Sequence, residues 1–204
     1  MSKLKGLYVI TDDNLTPDKS IYDQVEQSLK GGASIVQLRD KHSSDELVMQ
    51  KAIKLQKLCH SYGALFVLND KIELAIDLGC DGLHIGKSDH ERFSKIRESF
   101  KGVIGVSCYG DVEMAKEFEK KGADYVAFGS FFTSPTKPNS NIVPLETLRK
   151  AKEALNIPIC AIGGLNTTNI KSVMEQKPDM VSLISDIWSS EDILTRSRFY
   201  AEKF

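Results

Sequence analysis

Short apolar runs and amphipathic stretches alternate along the whole chain, and this alternation predicts its secondary structure. The apolar runs predict eight strands, at Leu7–Thr11, Ile35–Arg39, Leu65–Asn69, Gly82–Ile85, Val103–Ser107, Tyr125–Gly129, Ile159–Gly163 and Met180–Ser185. They are nearly continuous in apolar residues, which is typical of parallel strands buried on both faces. The stretches between them predict helices at Ile21–Lys30, Asp45–Tyr62, Ile72–Leu78, Glu91–Ser99, Val112–Lys121, Leu145–Leu155, Thr168–Gln176 and Asp192–Phe204.

Eight strand–helix units without a linker predict an α/β fold, a single (β/α)₈ TIM barrel that forms one catalytic domain over residues 1–204. The alternative is an open doubly wound sheet, which often has a glycine-rich turn after its first strand. Here the first strand ends in Thr11-Asp12-Asp13 without that turn, which favours the barrel. A Gly-X-Asp phrase precedes two strands, at 79–81 and 122–124. The predicted helix caps are Asp111 and Thr167 at N-termini and Gly63 and Gly122 at C-termini.

Composition and charge narrow the function classes. The 204 residues are 41% hydrophobic with a net charge of −1, so no global basic field would attract nucleic acid or a membrane surface. No apolar run approaches the roughly 20 residues of a membrane span. The run after the basic N-terminus, Leu7–Ile10, is too short for a signal peptide. The four cysteines are scattered without a CxxC pair, which indicates reduced thiols in a cytoplasmic protein and no zinc site.

Polar residues end the second and third predicted strands. Gln37, Arg39 and Lys41 lie two residues apart, so they project from one face of the second strand. Asn69 and Asp70 end the next strand. Because active sites of such barrels lie at the carboxyl ends of the strands, two cations beside a carboxylate predict a phosphate site with a metal ion. The simpler alternative is a solvated loop edge.

Two carboxylates are candidates for binding that metal. Asp70 follows the third predicted strand and Asp89 lies in the loop after the fourth, although each could instead cap the helix that follows it. Together, beside a phosphate cluster, they suit Mg²⁺, which takes few protein ligands and completes its shell with phosphate oxygens and water. We expect His84 to pack beside the site rather than to bind the metal, because magnesium prefers oxygen ligands.

The later strands end in groups suited to a second phosphate. Gly163-Gly164 follows the seventh predicted strand and Ile184-Ser185 ends the eighth, where TIM barrels frequently bind phosphate through backbone N–H groups. Ser107 ends the fifth strand. After the sixth strand, a loop rich in hydroxyl groups and proline either folds over the substrate or is an ordinary surface turn; it contains Ser134, Pro135, Thr136 and Lys137.

Taken in order, these segments resemble the thiamine-phosphate synthase family over nearly the whole chain. The most specific phrases are Gln37-Leu38-Arg39-Asp40-Lys41 and Asn69-Asp70, together with Thr136-Lys137 in the sixth loop. The other matching phrases are Tyr8-Val9-Ile10-Thr11-Asp12, Gly32 to Val36, Gly82 to Gly86 through Asp89, Ile104 to Ser107, Gly122 to Val126 and Ala161 to Gly164.

The resemblance implies a transferase of thiamine biosynthesis that requires Mg²⁺. The family joins 4-amino-5-hydroxymethyl-2-methylpyrimidine diphosphate to hydroxyethylthiazole phosphate, or to its carboxylated form, and releases diphosphate. The pyrimidine diphosphate is thought to ionise before the thiazole nitrogen attacks. The resemblance assigns the pyrimidine diphosphate to Gln37, Leu38, Arg39, Asp40, Lys41, Asn69, Ser107 and Lys137. It assigns the thiazole phosphate to Ser134, Pro135, Thr136, Gly164, Ile184 and Ser185, the metal to Asp70 and Asp89, and catalysis to Arg39, Lys41, Ser107 and Lys137.

Some positions depart from the family pattern, and other functions stay open. Lys87 stands where the family often has glutamine, and Ser130 replaces a common proline.

The alternative functions are a thiazole tautomerase, a non-catalytic barrel that binds a phosphorylated ligand, and another phosphate-handling barrel such as a sugar-phosphate epimerase or an indole-pathway enzyme. The combined cations and carboxylates favour the synthase. The expected partners are therefore small phosphorylated substrates, with no nucleic acid and no membrane, and a homo-oligomer remains open.

Overall fold

The computed structural model describes residues 4–134 and 141–204, and in these ranges eight parallel strands close into a barrel. The strands are β1 (Gly6–Ile10), β2 (Ala33–Leu38), β3 (Leu65–Asn69), β4 (Gly82–Ile85), β5 (Val103–Tyr109), β6 (Tyr125–Phe128), β7 (Ile159–Ile162) and β8 (Met180–Leu183). Each strand pairs with the next along the chain, and β8 pairs with β1. The predicted TIM barrel is therefore confirmed, and the open-sheet alternative is wrong.

Helices connect the strands and pack around the barrel. Those of the described residues are α1 (Ile21–Lys30), α2 (Asp45–Ser61), α3 (Ile72–Leu78), α4 (Phe93–Ser99), α5 (Val112–Lys121), α6 (Glu146–Ala154), α7 (Ile170–Met174), α8 (Ser185–Trp188) and α9 (Ile193–Ala201), with a 3₁₀ helix at Lys87–Arg92. The pattern of apolar positions predicted all of them except α8 and the 3₁₀ helix. In the two described ranges, no helix has both the length and the apolar character needed to cross a bilayer.

One predicted helix cap is wrong. Thr167 was expected to cap the helix after strand seven, but α7 begins later, after Asn169. The side chain of Asn166 accepts hydrogen bonds from the backbone N–H groups of Thr168 and Asn169, which holds these residues in a turn before the helix. Asp111 and Gly122 cap the two ends of α5 as expected. Gly63 lies one residue beyond Tyr62, the C-cap of α2, and has a φ of +70°.

A recurrent aspartate ties the amino ends of the strands together. Asp81, Asp124 and Asp179 directly precede β4, β6 and β8, and each accepts a backbone N–H from the strand before it. The donors are Phe66, Ile104 and Ile159, at 2.9, 2.8 and 2.8 Å. The Gly-X-Asp phrases of the sequence mark the first two of these contacts. Since this end of a TIM barrel supports stability, the opposite end is left for chemistry.

The barrel interior contains large side chains as well as small ones. Tyr8 and Tyr125 are buried inside it, in a cluster that also includes Ile35 and Met180. Gly105 makes room for one of the rings, because a Cβ atom at this position would lie 1.9 Å from Cζ of Tyr125. The absence of a side chain on β5 therefore permits a tyrosine hydroxyl to reach the centre of the barrel.

Candidate active site

A cavity of about 640 Å³ opens at the carboxyl ends of the strands, where the active site was expected. Its apolar wall comes from side chains such as Ile10, Ile162 and Ile184. Six of the residues predicted for the site line it together: Gln37, Arg39, Asn69, Ser107, Ser134 and Ile184. The barrel thus brings together groups from β2, β3 and β5 with groups from the loops after β6 and β8.

Arg39 provides a cation that has no acidic partner among the described residues. Its backbone N–H donates to Oγ1 of Thr11 at 3.0 Å, which joins the ends of β2 and β1. The side chain lines the central cavity. Across the two described ranges, no carboxylate lies within ion-pair distance of its guanidinium. A half-buried guanidinium of this kind is suited to an anionic ligand, which it can bind through two parallel hydrogen bonds.

Asp70 has an unusual backbone conformation. Its φ is +57°, in the left-handed region, where aspartate and asparagine are tolerated better than most residues. Its Oδ1 accepts the backbone N–H of Gly86 at 3.3 Å, and its Oδ2 lies 3.6 Å from Nζ of Lys41. The two residues that were predicted from neighbouring strands therefore lie side by side, with Lys41 half-exposed.

Asp89 is connected to the same turn. Its backbone N–H donates to the carbonyl of Gly86 at 3.1 Å, while Gly86 itself donates to Asp70. The carboxylate accepts hydrogen bonds from Ser88 and Arg92 at 2.8 and 3.3 Å. One glycine thus links both predicted metal ligands. In the described part of the chain, no group of three or more acidic, histidine or cysteine side chains could by itself hold a metal.

The chemistry of this donor set fits Mg²⁺ in particular. Two carboxylates offer hard oxygen atoms, and the lysine beside Asp70 does not occupy that carboxylate at hydrogen-bonding distance. Mg²⁺ is commonly bound by one or two carboxylates together with substrate phosphates and water, so a larger protein set is not required. The assignment of Asp70 and Asp89 to Mg²⁺ remains a prediction.

Below the cavity, a chain of hydrogen bonds crosses the inside of the barrel. Nε2 of Gln37 donates to Oη of Tyr8 at 2.6 Å, and this oxygen lies 2.8 Å from Oη of Tyr125. That hydroxyl lies 2.9 Å from Nδ1 of His84, whose Nε2 is 2.9 Å from Oγ of Ser107. His84 is therefore a packed residue in the wall of the cavity, with both ring nitrogens in hydrogen bonds.

A second cavity of about 320 Å³ adjoins the first on the side of β7 and β8. Gly163 and Ile184 line the larger cavity, and the next residues, Gly164 and Ser185, line the smaller one. Gly164 has a φ of +68°, and a Cβ atom there would lie 2.5 Å from the carbonyl oxygen of Phe132. This glycine is therefore needed for the close approach of two loops, and the assignment of the second phosphate to this cavity stays a prediction.

Two of the residues predicted to bind the diphosphate make contacts with other parts of the protein. Leu38 is buried in the apolar layer between the sheet and the helices. Asp40 is also buried, and its carboxylate accepts hydrogen bonds from the backbone of His42 and Ser43 and from Nζ of Lys51, the last at 2.6 Å. Both residues line a separate cavity next to the central one. Their direct contact with substrate stays a prediction, and Asp40 has a structural role that the sequence analysis did not recognise.

We expect Asp40→Asn to lower the free energy of unfolding by about 2–3 kcal/mol at pH 7. The largely buried Lys51 would then keep its ion pair with the exposed Asp18 but lose the one with Asp40. Burial alone would raise the pKa of Asp40, but hydrogen bonds from Lys51 and Ser43 outweigh it and hold the pKa well below its usual range. A lowered pKa stabilises the fold above the unfolded value of about 4, and this contribution is lost as the pH falls.

The difference in stability between the wild type and Asp40→Asn should therefore shrink by about 1 kcal/mol between pH 7 and pH 3. Urea unfolding at the two pH values measures it. Asp111→Asn, which changes an exposed N-cap that asparagine also serves, is the matched control. An unchanged difference at both pH values would show that the Asp40 carboxylate is not the titrating group.

Three predicted residues, Pro135, Thr136 and Lys137, lie outside the described residues. Their assignments to the two substrates stay as predicted from the sequence.

Two buried tyrosines join residues of the site, and the sequence did not single them out. Tyr8 and Tyr125 were noted only as part of longer matching phrases, yet their hydroxyls connect Gln37 with His84. The signal was present, because a tyrosine inside a buried strand needs a hydrogen-bond partner for its hydroxyl. Lys87, whose role was left open, lines the central cavity.

Comparison with known proteins agrees with this geometry. Residues 7–187 match the family described as thiamine monophosphate synthase. The chain is 43% identical over 190 residues to a thiamine-phosphate synthase of Wolinella succinogenes, covering 92% of this chain and 87% of that protein. It is 40% identical over 205 residues to the enzyme of the same name from Nitrosococcus oceani, covering 100% and 94%.

Solved structures show the same relationship. The thiamine phosphate pyrophosphorylase of Pyrococcus furiosus superposes with a TM-score of 0.89 at 34% identity, covering 98% of this chain and 95% of that one. A 3-hexulose-6-phosphate synthase, at 14% identity and a TM-score of 0.72 over 98% and 99% of the two chains, shares the barrel fold alone. From the barrel, the grouping of charged side chains at its mouth and these full-length matches, the chain belongs to the thiamine monophosphate synthase family.

Proposed function

We propose that this enzyme condenses 4-amino-5-hydroxymethyl-2-methylpyrimidine diphosphate with hydroxyethylthiazole phosphate to give thiamine phosphate and diphosphate, or with its carboxylated form to give the same products and CO₂. One observation carries the proposal beyond family membership. The guanidinium of Arg39, which no carboxylate in residues 4–134 and 141–204 neutralises, lines the central cavity, while Gly164 and Ser185 line the adjoining one. Two phosphorylated substrates need two anion sites of this kind, one for the diphosphate and one for the thiazole phosphate.

The diphosphate side supports departure of the leaving group. As the carbon–oxygen bond of the pyrimidine diphosphate breaks, negative charge grows on the diphosphate oxygens, and Arg39 and Lys41 are proposed to stabilise it. Arg39 lines the cavity and Lys41 lies beside Asp70, which supports this assignment. Mg²⁺ held by Asp70 and Asp89 would supply further positive charge to the same oxygens. Lys137 is proposed to join this group from the sixth loop.

Formation of the new bond requires positioning rather than a protein nucleophile. The thiazole nitrogen attacks the exocyclic carbon of the pyrimidine, and its lone pair becomes the new carbon–nitrogen bond. Apolar side chains at Ile10, Ile162 and Ile184 restrict water around that carbon. Cys108 lies near the site in sequence, but burial raises the pKa of its thiol to about 12, so it stays protonated.

A coupling assay tests the proposal. Purified protein with Mg²⁺ should release diphosphate and form thiamine phosphate only when both substrates are present. The control omits each substrate in turn, and chromatography identifies the product. Isomerisation of a thiazole phosphate without coupling would favour the tautomerase alternative, and binding without turnover would favour the non-catalytic barrel. Either outcome would overturn the proposed reaction.

We also propose a cytoplasmic location. In the described residues, all four cysteines are buried free thiols, which is typical of proteins kept under reducing conditions. A homo-oligomer stays an open expectation.

A further inference from the structure

The hydrogen-bond chain below the cavity connects two groups that line the same cavity. Gln37 and Ser107 both line the central cavity, on β2 and β5. Between them lie only Tyr8, Tyr125 and His84, with no contact longer than 2.9 Å along the path. The path therefore runs without a gap from one cavity-lining side chain to the other.

Each residue on this path accepts a hydrogen bond from one neighbour and donates one to the other, so all the hydrogen bonds run in the same direction. A neutral tyrosine has one proton to donate, and a neutral imidazole has one N–H and one acceptor nitrogen. Burial raises the pKa of Tyr8 and of Tyr125 well above the usual value, so both hydroxyls keep their protons. The donor or acceptor role of the group at one end of the path therefore fixes the direction of every hydrogen bond up to the other end.

The observed contact at Gln37 sets one direction. Its Nε2 donates to Tyr8. The buried proton of Tyr8 then needs an acceptor, so we infer that Tyr8 donates to Tyr125 and that Tyr125 donates to Nδ1 of His84. His84 then carries its proton on Nε2 and donates to Ser107. Ser107 keeps its own proton free for the cavity, and Gln37 keeps its carbonyl oxygen as an acceptor.

We propose that Tyr8, Tyr125 and His84 are positioning residues that couple the hydrogen-bonding roles of Gln37 and Ser107. When Gln37 accepts a hydrogen bond from the ligand, Ser107 donates one to it. The pocket then accepts a heterocycle that offers a donor to Gln37 and an acceptor to Ser107. An aminopyrimidine has both, through its amino group and a ring nitrogen. This inference rests on the proposed function and deepens it, because it assigns the selection of the pyrimidine to two tyrosines buried below the cavity and to the imidazole of His84 in its wall.

The surrounding structure keeps the path in place. Tyr8 and Tyr125 are 1% and 0% exposed, so water does not substitute for a missing partner. Gly105 leaves the space that the Tyr125 ring occupies. A ligand that needs a donor from both ends would force one buried contact of the path to be lost, and such a loss is costly because the group left unpaired is buried.

Two ligand analogues of equal size test the coupling. In one, the amino group of the pyrimidine diphosphate is replaced by methylamino, which still donates; in the other it is replaced by methoxy, which only accepts. The wild type should bind the methylamino analogue about 10–100-fold more tightly than the methoxy analogue, the range expected for one buried polar group left unpaired. Calorimetric titration of the Mg²⁺-loaded protein measures both dissociation constants.

Tyr125→Phe removes the central hydroxyl and keeps the ring, so each end of the path can then reorient alone. In this variant the preference should fall to within about threefold, while the KM for the thiazole phosphate stays unchanged. Tyr62→Phe, which loses an exposed hydroxyl bonded to Glu26, is the matched control and should keep the wild-type preference. Tyr8→Phe interrupts the same path at the next residue and replaces Tyr125→Phe if that variant does not fold.

The outcomes separate the two proposals. If the wild type binds neither the natural pyrimidine diphosphate nor the methylamino analogue, the proposed function fails. If it binds them but Tyr125→Phe keeps the wild-type preference, the coupling fails and the function stands.

Nitrogen-15 NMR of the wild type gives a test without mutation of the path. His84, assigned by the signal lost in His84→Gln, should carry its proton on Nε2 when the pyrimidine diphosphate is bound. A proton on Nδ1 would overturn the direction that we infer.

Discussion

Asp70→Asn is expected to lower kcat by about 10²–10³-fold at a fixed Mg²⁺ concentration, a loss typical of removing one preorganised group that stabilises developing charge. The substitution removes one negative charge from the predicted metal site, so Mg²⁺ binds more weakly beside the diphosphate. Raising the Mg²⁺ concentration should recover part of the lost activity.

The structure indicates that this substitution should remove the charge without disturbing the fold. Asparagine tolerates the left-handed backbone conformation that Asp70 adopts, with a φ of +57°. Its amide oxygen can still accept the N–H of Gly86, which Asp70 now accepts at 3.3 Å. The fold should therefore be retained, and the thermal midpoint of unfolding should stay close to that of the wild type.

A titration of initial rates against Mg²⁺ concentration is the measurement. Asp192→Asn is the matched control, because Asp192 caps α9 through Thr195 and asparagine caps a helix equally well. It should leave the Mg²⁺ dependence unchanged. An Asp70→Asn enzyme with wild-type turnover and wild-type Mg²⁺ dependence would show that Asp70 is not a metal ligand in the reaction.

Arg39→Gln is expected to reduce kcat/KM for the pyrimidine diphosphate by about 10²–10³-fold. The guanidinium lines the cavity, and no described residue neutralises it, so its charge is available to the leaving diphosphate. Arg39→Lys should recover only part of the loss, because an ammonium group cannot form the two parallel hydrogen bonds of the guanidinium.

Steady-state kinetics with each substrate varied in turn would measure this effect. The KM for the thiazole phosphate should change little, since that substrate is assigned to the side of the cavity formed by Gly164 and Ser185. Arg149→Gln, which removes an exposed arginine paired with Glu146 and Glu153 on α6, is the control. Equal losses for both substrates would argue against a specific role at the diphosphate.

Much of the fold could be predicted from the sequence because its signals are local. Each buried parallel strand is a short apolar run, and each helix has its own period, so eight strands and most helices could be placed without tertiary contacts. The charged residues at the strand ends could be grouped by the same logic, because the barrel brings all carboxyl ends to one mouth. This is why Arg39, Asn69 and Ser107 were predicted to meet, and they do line one cavity.

Other features depend on contacts between distant residues. Thr167 appeared to be a helix cap, but the turn formed by Asn166 delays the start of α7. Asp40 lies within the most specific phrase of the chain, yet its carboxylate is held by Lys51 of α2. In each case the sequence shows the type of residue, but it does not show which distant residue that side chain contacts.

The sequence by itself therefore determined the barrel and predicted the end of the barrel at which the chemistry lies, because these follow from periodicity and from residue types at strand ends; its motif phrases carried the resemblance to the family. Only the tertiary structure decided which buried polar groups touch. Tyr8 and Tyr125 are 117 residues apart, and their hydroxyls meet because the sheet closes on itself and Gly105 leaves space for a ring. Closure of the barrel is a global event, so no local pattern could reveal the path that joins Gln37 to Ser107.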